Sequence, residues 1–180
     1  EQMVIRVVQR ARDLARQGTD VPANSCLSYF LGRAVSLSEF ERDDKILNRF
    51  VELDDYDIWS AIKTWASHPD KVLSYLASSI LHRNLLKIVL APEPFDEDFR
   101  LGIRELIEEK FGLLPAEAEL LLIAGRLSNS AYNAESQEPI EILTKRGDVV
   151  NVMEASDLPN IRALSKRVEK FYICYPKEIV

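Results

Sequence analysis

Val4, Val7, Val8, Ala11, Leu14 and Ala15 recur at the three- and four-residue spacing of one helix face. They predict an opening helix that stops at Gly18, a residue suited to the left-handed position just past a helix end. No initiator Met and no capping side chain precede this run, the pattern expected of a helix cut from a longer protein. Pro22 and Asn24-Ser25 lead into a short helix expected around residues 27–33. Ser36 and Glu39 have the spacing of a capping box, ahead of a third helical stretch through Ile46, Leu47, Phe50 and Val51. Asp54 and Asp57 open a fourth helix with Ile58, Ala61, Ile62 and Trp65 on its face. His68-Pro69 ends it, and Val72, Leu73, Leu76, Ile80 and Leu81 form the apolar stripe of a fifth.

After Arg83 the period changes. Residues 85–90 are apolar except for Lys87 and predict a buried strand, closed by Pro92 and Pro94. Asp96 caps a helix with Phe99, Ile103, Leu106 and Ile107 on one side, ending at Gly112. Residues 119–124 read as a second apolar strand and 128–139 as a polar surface loop. Residues 140–144 and 149–152, around Lys145-Arg146-Gly147-Asp148, predict a hairpin. A turn or short helix near 159–164 and a strand over 168–175 complete the pattern. The expected fold class is α+β, with an N-terminal helical bundle over residues 1–84 and a small mixed α/β-sheet domain over residues 85–180.

Composition narrows the functional classes. The chain has 180 residues, 47% hydrophobic and 29% charged, with a net charge of −6, ordinary for a globular protein. That acidity argues against general nucleic-acid or anionic-membrane binding. Eight acidic residues against three basic ones fall in 39–57, whereas 145–180 holds seven basic against five acidic, leaving room for a local basic surface. Cys26 and Cys174 are expected to be buried as small hydrophobes, and the lack of a disulfide framework fits a cytoplasmic protein. No apolar run reaches the roughly 18 residues of a membrane span, and the first residues lack a signal peptide's apolar core.

Few residues offer chemistry. The six glycines are scattered, so neither a dinucleotide fingerprint nor a phosphate-binding loop can be written. A catalytic metal site uses about three fixed N, S or O ligands. His68 with Asp70 is the nearest approach, but helix-end positions account for His68 and His82. Asp54, Asp55 and Asp57 suit capping better than metal binding or acid–base work. Trp59 and Trp65 are expected in the core, and Lys166, Arg167 and Lys170 beside Tyr172 at a solvated strand end. Neither a catalytic residue nor a metal or other cofactor is expected in this chain. Arg83 and Lys87, where helix gives way to strand, either satisfy terminal carbonyls or project toward a polyphosphate, which Arg grips as a fork and Lys as a point charge.

The stretches LDDYDIWSAIKTW (53–65) and HPDKVLSYLASSILHRNLLKIVL (68–90) resemble the later helices of HD-superfamily phosphohydrolases. The resemblance is to bacterial proteins of the dNTP-triphosphohydrolase-like type, and ALSKRVEKFYICYPK (163–177) resembles their C-terminal strand. In that superfamily a His, a His-Asp dipeptide and a further Asp hold a divalent metal on an N-terminal helical core. No His-Asp dipeptide occurs here, so the resemblance implies the region after that core. It further implies packing on the missing HD core, homo-oligomerisation, and a nucleotide contact at Arg83 and Lys87. Those two residues fall in an Arg-x-Leu-Phe-Lys-like pattern, with Leu86 in place of Phe. The competing expectation is a stand-alone protein-interaction module.

Overall fold

Short polar side chains set most helix starts, because the first backbone N–H groups of a helix have no partner within it. In the computed structural model, which describes residues 1–129, 141–151 and 168–180, α1 (Gln2–Arg16) is followed by α2 (Ser25–Gly32). The Asn24 side-chain Oδ1 caps α2 by accepting from the Leu27 N–H at 2.8 Å. Next come α3 (Leu37–Arg42), α4 (Asp44–Val51), α5 (Asp55–Trp65) and α6 (Lys71–Leu81). Glu39 accepts from the Ser36 N–H at 2.8 Å, and Asp54 and Asp57 cap α5 reciprocally. Strand β1 (Lys87–Ala91) precedes α7 (Glu97–Phe111) and α8 (Pro115–Leu121). Strands β2 (Ile123–Asn129), β3 (Glu141–Leu143), β4 (Val149–Asn151) and β5 (Val168–Tyr175) follow, then a 3₁₀ turn (Lys177–Ile179). The fold class is α+β, as the pattern predicts. No helix among the described residues is long and apolar enough to cross a membrane.

The chain divides into two compact units. The first comprises residues 1–88, 96–123 and 174–180 and carries the eight α-helices of the described residues. Its core is built from the stripes of its helices. Val7 and Ala11 of α1, Ile62 and Trp65 of α5, Val72, Leu73 and Leu76 of α6, and Ile107 of α7 are all buried. Helix α1 packs on α2 and α6, while α8 packs on α6 and α7. One aromatic cluster draws on three helices: Phe30, Phe40 and Phe50 have ring centroids 5.5–6.1 Å apart, the range in which aromatic pairs attract. The second unit comprises residues 89–95 and 124–173. In it β3 pairs antiparallel with β4, Ile142 opposite Val150, around a turn in which Gly147 adopts φ +91°. On β2, Gly125 lets the Tyr172 ring approach closely: a Cβ at that position would lie 2.6 Å from the Tyr172 hydroxyl, so the ring would have to shift. Strands β1, β5 and β2 form a sheet in that order.

Four expectations need correction. The third helical stretch is two helices, broken at Asp43, whose carboxylate caps α4 through the Lys45 N–H at 3.0 Å. Residues 119–121 belong to α8, and the strand begins at Ile123; Pro115 at the first helical turn and Glu117 accepting from the Leu114 N–H mark that helix. Among the described residues β1 lies at the edge of its sheet, and Ile88 and Leu90 are about half exposed rather than buried. Cys26 and Cys174 are free and partly exposed, the Cys26 thiol donating to Glu52 at 3.3 Å. The turn expected near residues 159–164 and most of the 128–139 loop lie outside the described residues.

Helix ends supply one testable contrast. Past α1, the Gly18 N–H reaches the Ala15 carbonyl and the Thr19 N–H the Leu14 carbonyl, with Gly18 at φ +84°. Past α6 the same pair of bonds forms, Arg83 to Ile80 and Asn84 to Ser79, but Arg83 occupies the left-handed position at φ +57°. A side chain there costs about 1–2 kcal/mol relative to glycine. Glycine in turn loosens the unfolded chain by about 0.4–1 kcal/mol. Arg83→Gly is therefore expected to stabilise the protein by roughly 0.5–1 kcal/mol, read as a higher urea midpoint with an unchanged slope.

Candidate functional site

The turn from α6 into β1 gathers the residues singled out by sequence. His82 caps α6, its Nδ1 lying 2.9 Å from the Ser78 carbonyl oxygen and 3.2 Å from the Ser78 hydroxyl. Arg83 is exposed, and its guanidinium has no hydrogen-bond or ion-pair partner among the described residues. Lys87 is also exposed, its Nζ 5.9 Å from the centre of the Tyr175 ring, at the outer limit of a cation–π contact. Beside this turn a small polar cavity of about 240 Å³ is lined by Tyr75, Ser78, Ser79, His82 and Asn84. The Tyr75 hydroxyl donates to Glu178 at 2.9 Å, and the Asn84 amide donates to the same carboxylate at 3.4 Å. Burial, then the bond to Glu178, pushes the Tyr75 hydroxyl well above its ordinary pKa, so it acts as a donor rather than a base.

Leu85, Leu86 and Ile88 of the same stretch form one wall of a second cavity, an apolar groove of about 570 Å³. Trp59, Ile80, Ile123, Cys174 and residues 1–4 also line it. Trp59 therefore departs from expectation: it is 45% exposed and faces this groove, whereas Trp65 is fully buried. Burial alone raises the Cys174 thiol above its ordinary pKa.

His68 and Asp70 are structural. The Asp70 N–H donates to His68 Nδ1 at 3.0 Å, which leaves the proton on Nε2 to reach the Asp20 carbonyl oxygen at 3.0 Å. Both ring nitrogens are thus engaged, and neither has a free lone pair for a metal. Asp70 caps α6 through the Leu73 N–H at 2.8 Å and grips Arg10 as a fork, at 3.0 and 2.6 Å. Arg10 also donates to Glu117 at 2.8 Å, tying α1, α6 and α8 together. Burial works to raise the Asp70 pKa, but the Arg10 hydrogen bonds and the Leu73 N–H outweigh it and hold the carboxyl below its ordinary value. This triad joins residues 60 and 107 positions apart, and no local pattern announces it.

In the acidic run 54–57, Asp54 and Asp57 cap α5, and Asp55 lies in its first turn. No group of three or more His, Cys, Asp or Glu side chains among the described residues is placed to hold a metal ion. A divalent metal of the kind the HD resemblance implies has no fitting donor set in these residues. Lys166 and Arg167 lie outside the described residues, and Lys170 on β5 is exposed.

No protein-family profile matches the chain, and no curated protein does. Among solved structures, the chain is similar to the crystal structure of a phosphohydrolase from Bacteroides thetaiotaomicron VPI-5482. The two are 37% identical with a TM-score of 0.86, over 97% of this chain and 43% of that one. The chain thus spans less than half the length of the protein it matches, and its relationship is phosphohydrolase-like.

Proposed function

We propose that this chain is the non-catalytic C-terminal region of a larger, metal-dependent HD-superfamily phosphohydrolase acting on nucleotides, dNTPs among them. The observation that carries this reading is the match itself: 37% identity along almost the whole of this chain, covering 43% of a phosphohydrolase. The donor sets support it. The one His–Asp neighbourhood in the helical unit, His68 and Asp70, is spent on holding α6, so the metal and the chemistry it supplies belong to the rest of the parent protein. In this reading the region is cytoplasmic, packs on the catalytic core and supports a homo-oligomer.

A nucleotide contact at Arg83 and Lys87 is the regulatory part of the proposal. Arg83 keeps a costly left-handed backbone that glycine would relieve, and its side chain has no partner among the described residues. An unpartnered guanidinium can fork onto phosphate oxygens, with Lys87 four residues on, at the start of β1, adding a second positive charge. The apolar groove favours the second reading, a stand-alone protein-interaction module, as much as the first. The reading frame upstream of the codon for Glu1 separates them. A His, His-Asp, Asp series encoded there is the expected result, and a start codon next to Glu1 would refute the phosphohydrolase reading. For the nucleotide part, dGTP, GTP or dATP is expected to raise the melting temperature of the wild type and not of Arg83→Ala. Equal melting temperatures with and without every nucleotide would remove it.

A further inference from the structure

Strand β1 lies at one edge of its sheet, with β5 as its one strand neighbour among the described residues. The outer row of backbone N–H and C=O groups of such a strand is a template for another strand, and proteins normally blunt it with charge or proline. Here the blunting is confined to the ends. Lys87 opens the strand and Pro92 follows it, while Ile88, Val89, Leu90 and Ala91 between them are apolar. Ile88 and Leu90, two residues apart and so on one face, are 53% and 50% exposed. Leu85, just before the strand, is 54% exposed and extends that apolar face into the groove.

We propose that the β1 edge is a self-association surface on which the β1 strand of a second copy of this chain pairs antiparallel about Val89. The register argues for a second copy. Centred on Val89, the pairing sets Val89 opposite its own symmetry mate, Ile88 opposite Leu90 of the other copy, and Lys87 opposite Ala91. Ile88, Val89 and Leu90 each meet an apolar side chain, Ala91 lies opposite Lys87, and the two lysines fall at opposite ends rather than facing each other, where like charges would repel. Such an isologous pair uses both copies of the edge at once and closes at two, and the flanking Lys87 and Pro92 limit it to five residues. The proposal rests on the homo-oligomeric part of the reading above and names the surface that carries it.

Sedimentation velocity on the full chain over a range of concentrations, together with disulfide trapping, tests this. Wild type is expected to form a dimer, and Ile88→Lys/Leu90→Lys to weaken association by about tenfold or more. Leu127→Lys on β2 is expected to leave the dimer intact. Both lysines replace half-exposed side chains, and an unchanged circular dichroism spectrum verifies the fold. In a Cys26→Ser/Cys174→Ser background, Val89→Cys should oxidise to a covalent dimer, since opposed residues in an antiparallel pair lie about 4.5–5.5 Å apart at Cα. A chain that stays monomeric overturns both this interface and the oligomeric part of the reading. A dimer that survives the double lysine variant, or that fails to trap through Val89→Cys, overturns the interface alone.

Discussion

Trp65→Ala is expected to lower stability by about 3–5 kcal/mol, the largest effect of any single truncation in this protein. Trp65 is fully buried between α5 and its neighbours, and its indole N–H donates to the Pro22 carbonyl oxygen at 2.8 Å. That bond anchors the linker that leads from α1 into α2. Truncation therefore leaves a large cavity and an unsatisfied carbonyl together. Trp65→Phe keeps most of the volume and loses the donor, and should cost about half as much. Urea unfolding of the three proteins at one pH checks both values. A loss under 1 kcal/mol for Trp65→Ala would mean that the core around α5 and α6 is not packed as described. Trp59→Ala supplies the contrast, since Trp59 lines an open groove and should cost far less.

Arg10→Ala is expected to cost about 2–4 kcal/mol, because it strands Asp70 and Glu117 where water reaches them poorly. The Arg10 side chain is 12% exposed and that of Asp70 14%, which puts this pair well apart from the exposed ion pairs of the surface. The effect should depend on pH in a defined direction. Asp70 titrates below its ordinary value of 3.8 in the folded protein, so its contribution is complete above about pH 4 and is lost as pH falls through the lower folded value. The gap between wild type and Arg10→Ala should therefore be constant near neutrality and narrow under acid. Arg10→Met, which keeps the aliphatic stem, should recover part of the loss if packing contributes beside charge. Melting curves of wild type and both variants at pH 7 and pH 3 make the comparison.

Local signals carried the helical half of the fold well. Asn24, Ser36 with Glu39, Asp54 with Asp57, and Asp96 all cap the helices they were expected to open, because a cap is a contact between residues three apart. Gly18 likewise terminates α1 through bonds between residues three and five apart. What local patterns missed depends on partners far along the chain. An apolar run such as 85–90 looks the same whether neighbours cover it or not, and here β1 lies at an edge. Residues 119–121 are as apolar as a strand, yet Pro115 and Glu117 start a helix that carries through Leu121. Trp59 and Trp65 share helical spacing, but only Trp65 turns inward.

The candidate site shows the same division. The positions of His82, Arg83 and Lys87 at a helix-to-strand transition were legible from sequence, since a broken apolar period marks the boundary. The left-handed backbone of Arg83 was not, because glycine is the usual marker of that conformation and is absent. Tyr75 and Glu178, whose bond borders the polar cavity, are 103 residues apart and carried no signal. His68 and Asp70 were legible as a pair, but only the geometry assigns them to capping: the Asp70 N–H and the Asp20 carbonyl occupy both nitrogens of the imidazole.

Hydrolysis of nucleoside and deoxynucleoside triphosphates by the purified 180-residue chain, with Mg²⁺ or Mn²⁺ present and followed as loss of the starting nucleotide, tests the central claim most directly. The account predicts no loss above the rate of metal and nucleotide alone, with wild type and His68→Ala indistinguishable. Metal-dependent turnover by the wild type that disappears in His68→Ala or Asp70→Asn would contradict it, placing the hydrolytic centre within these residues.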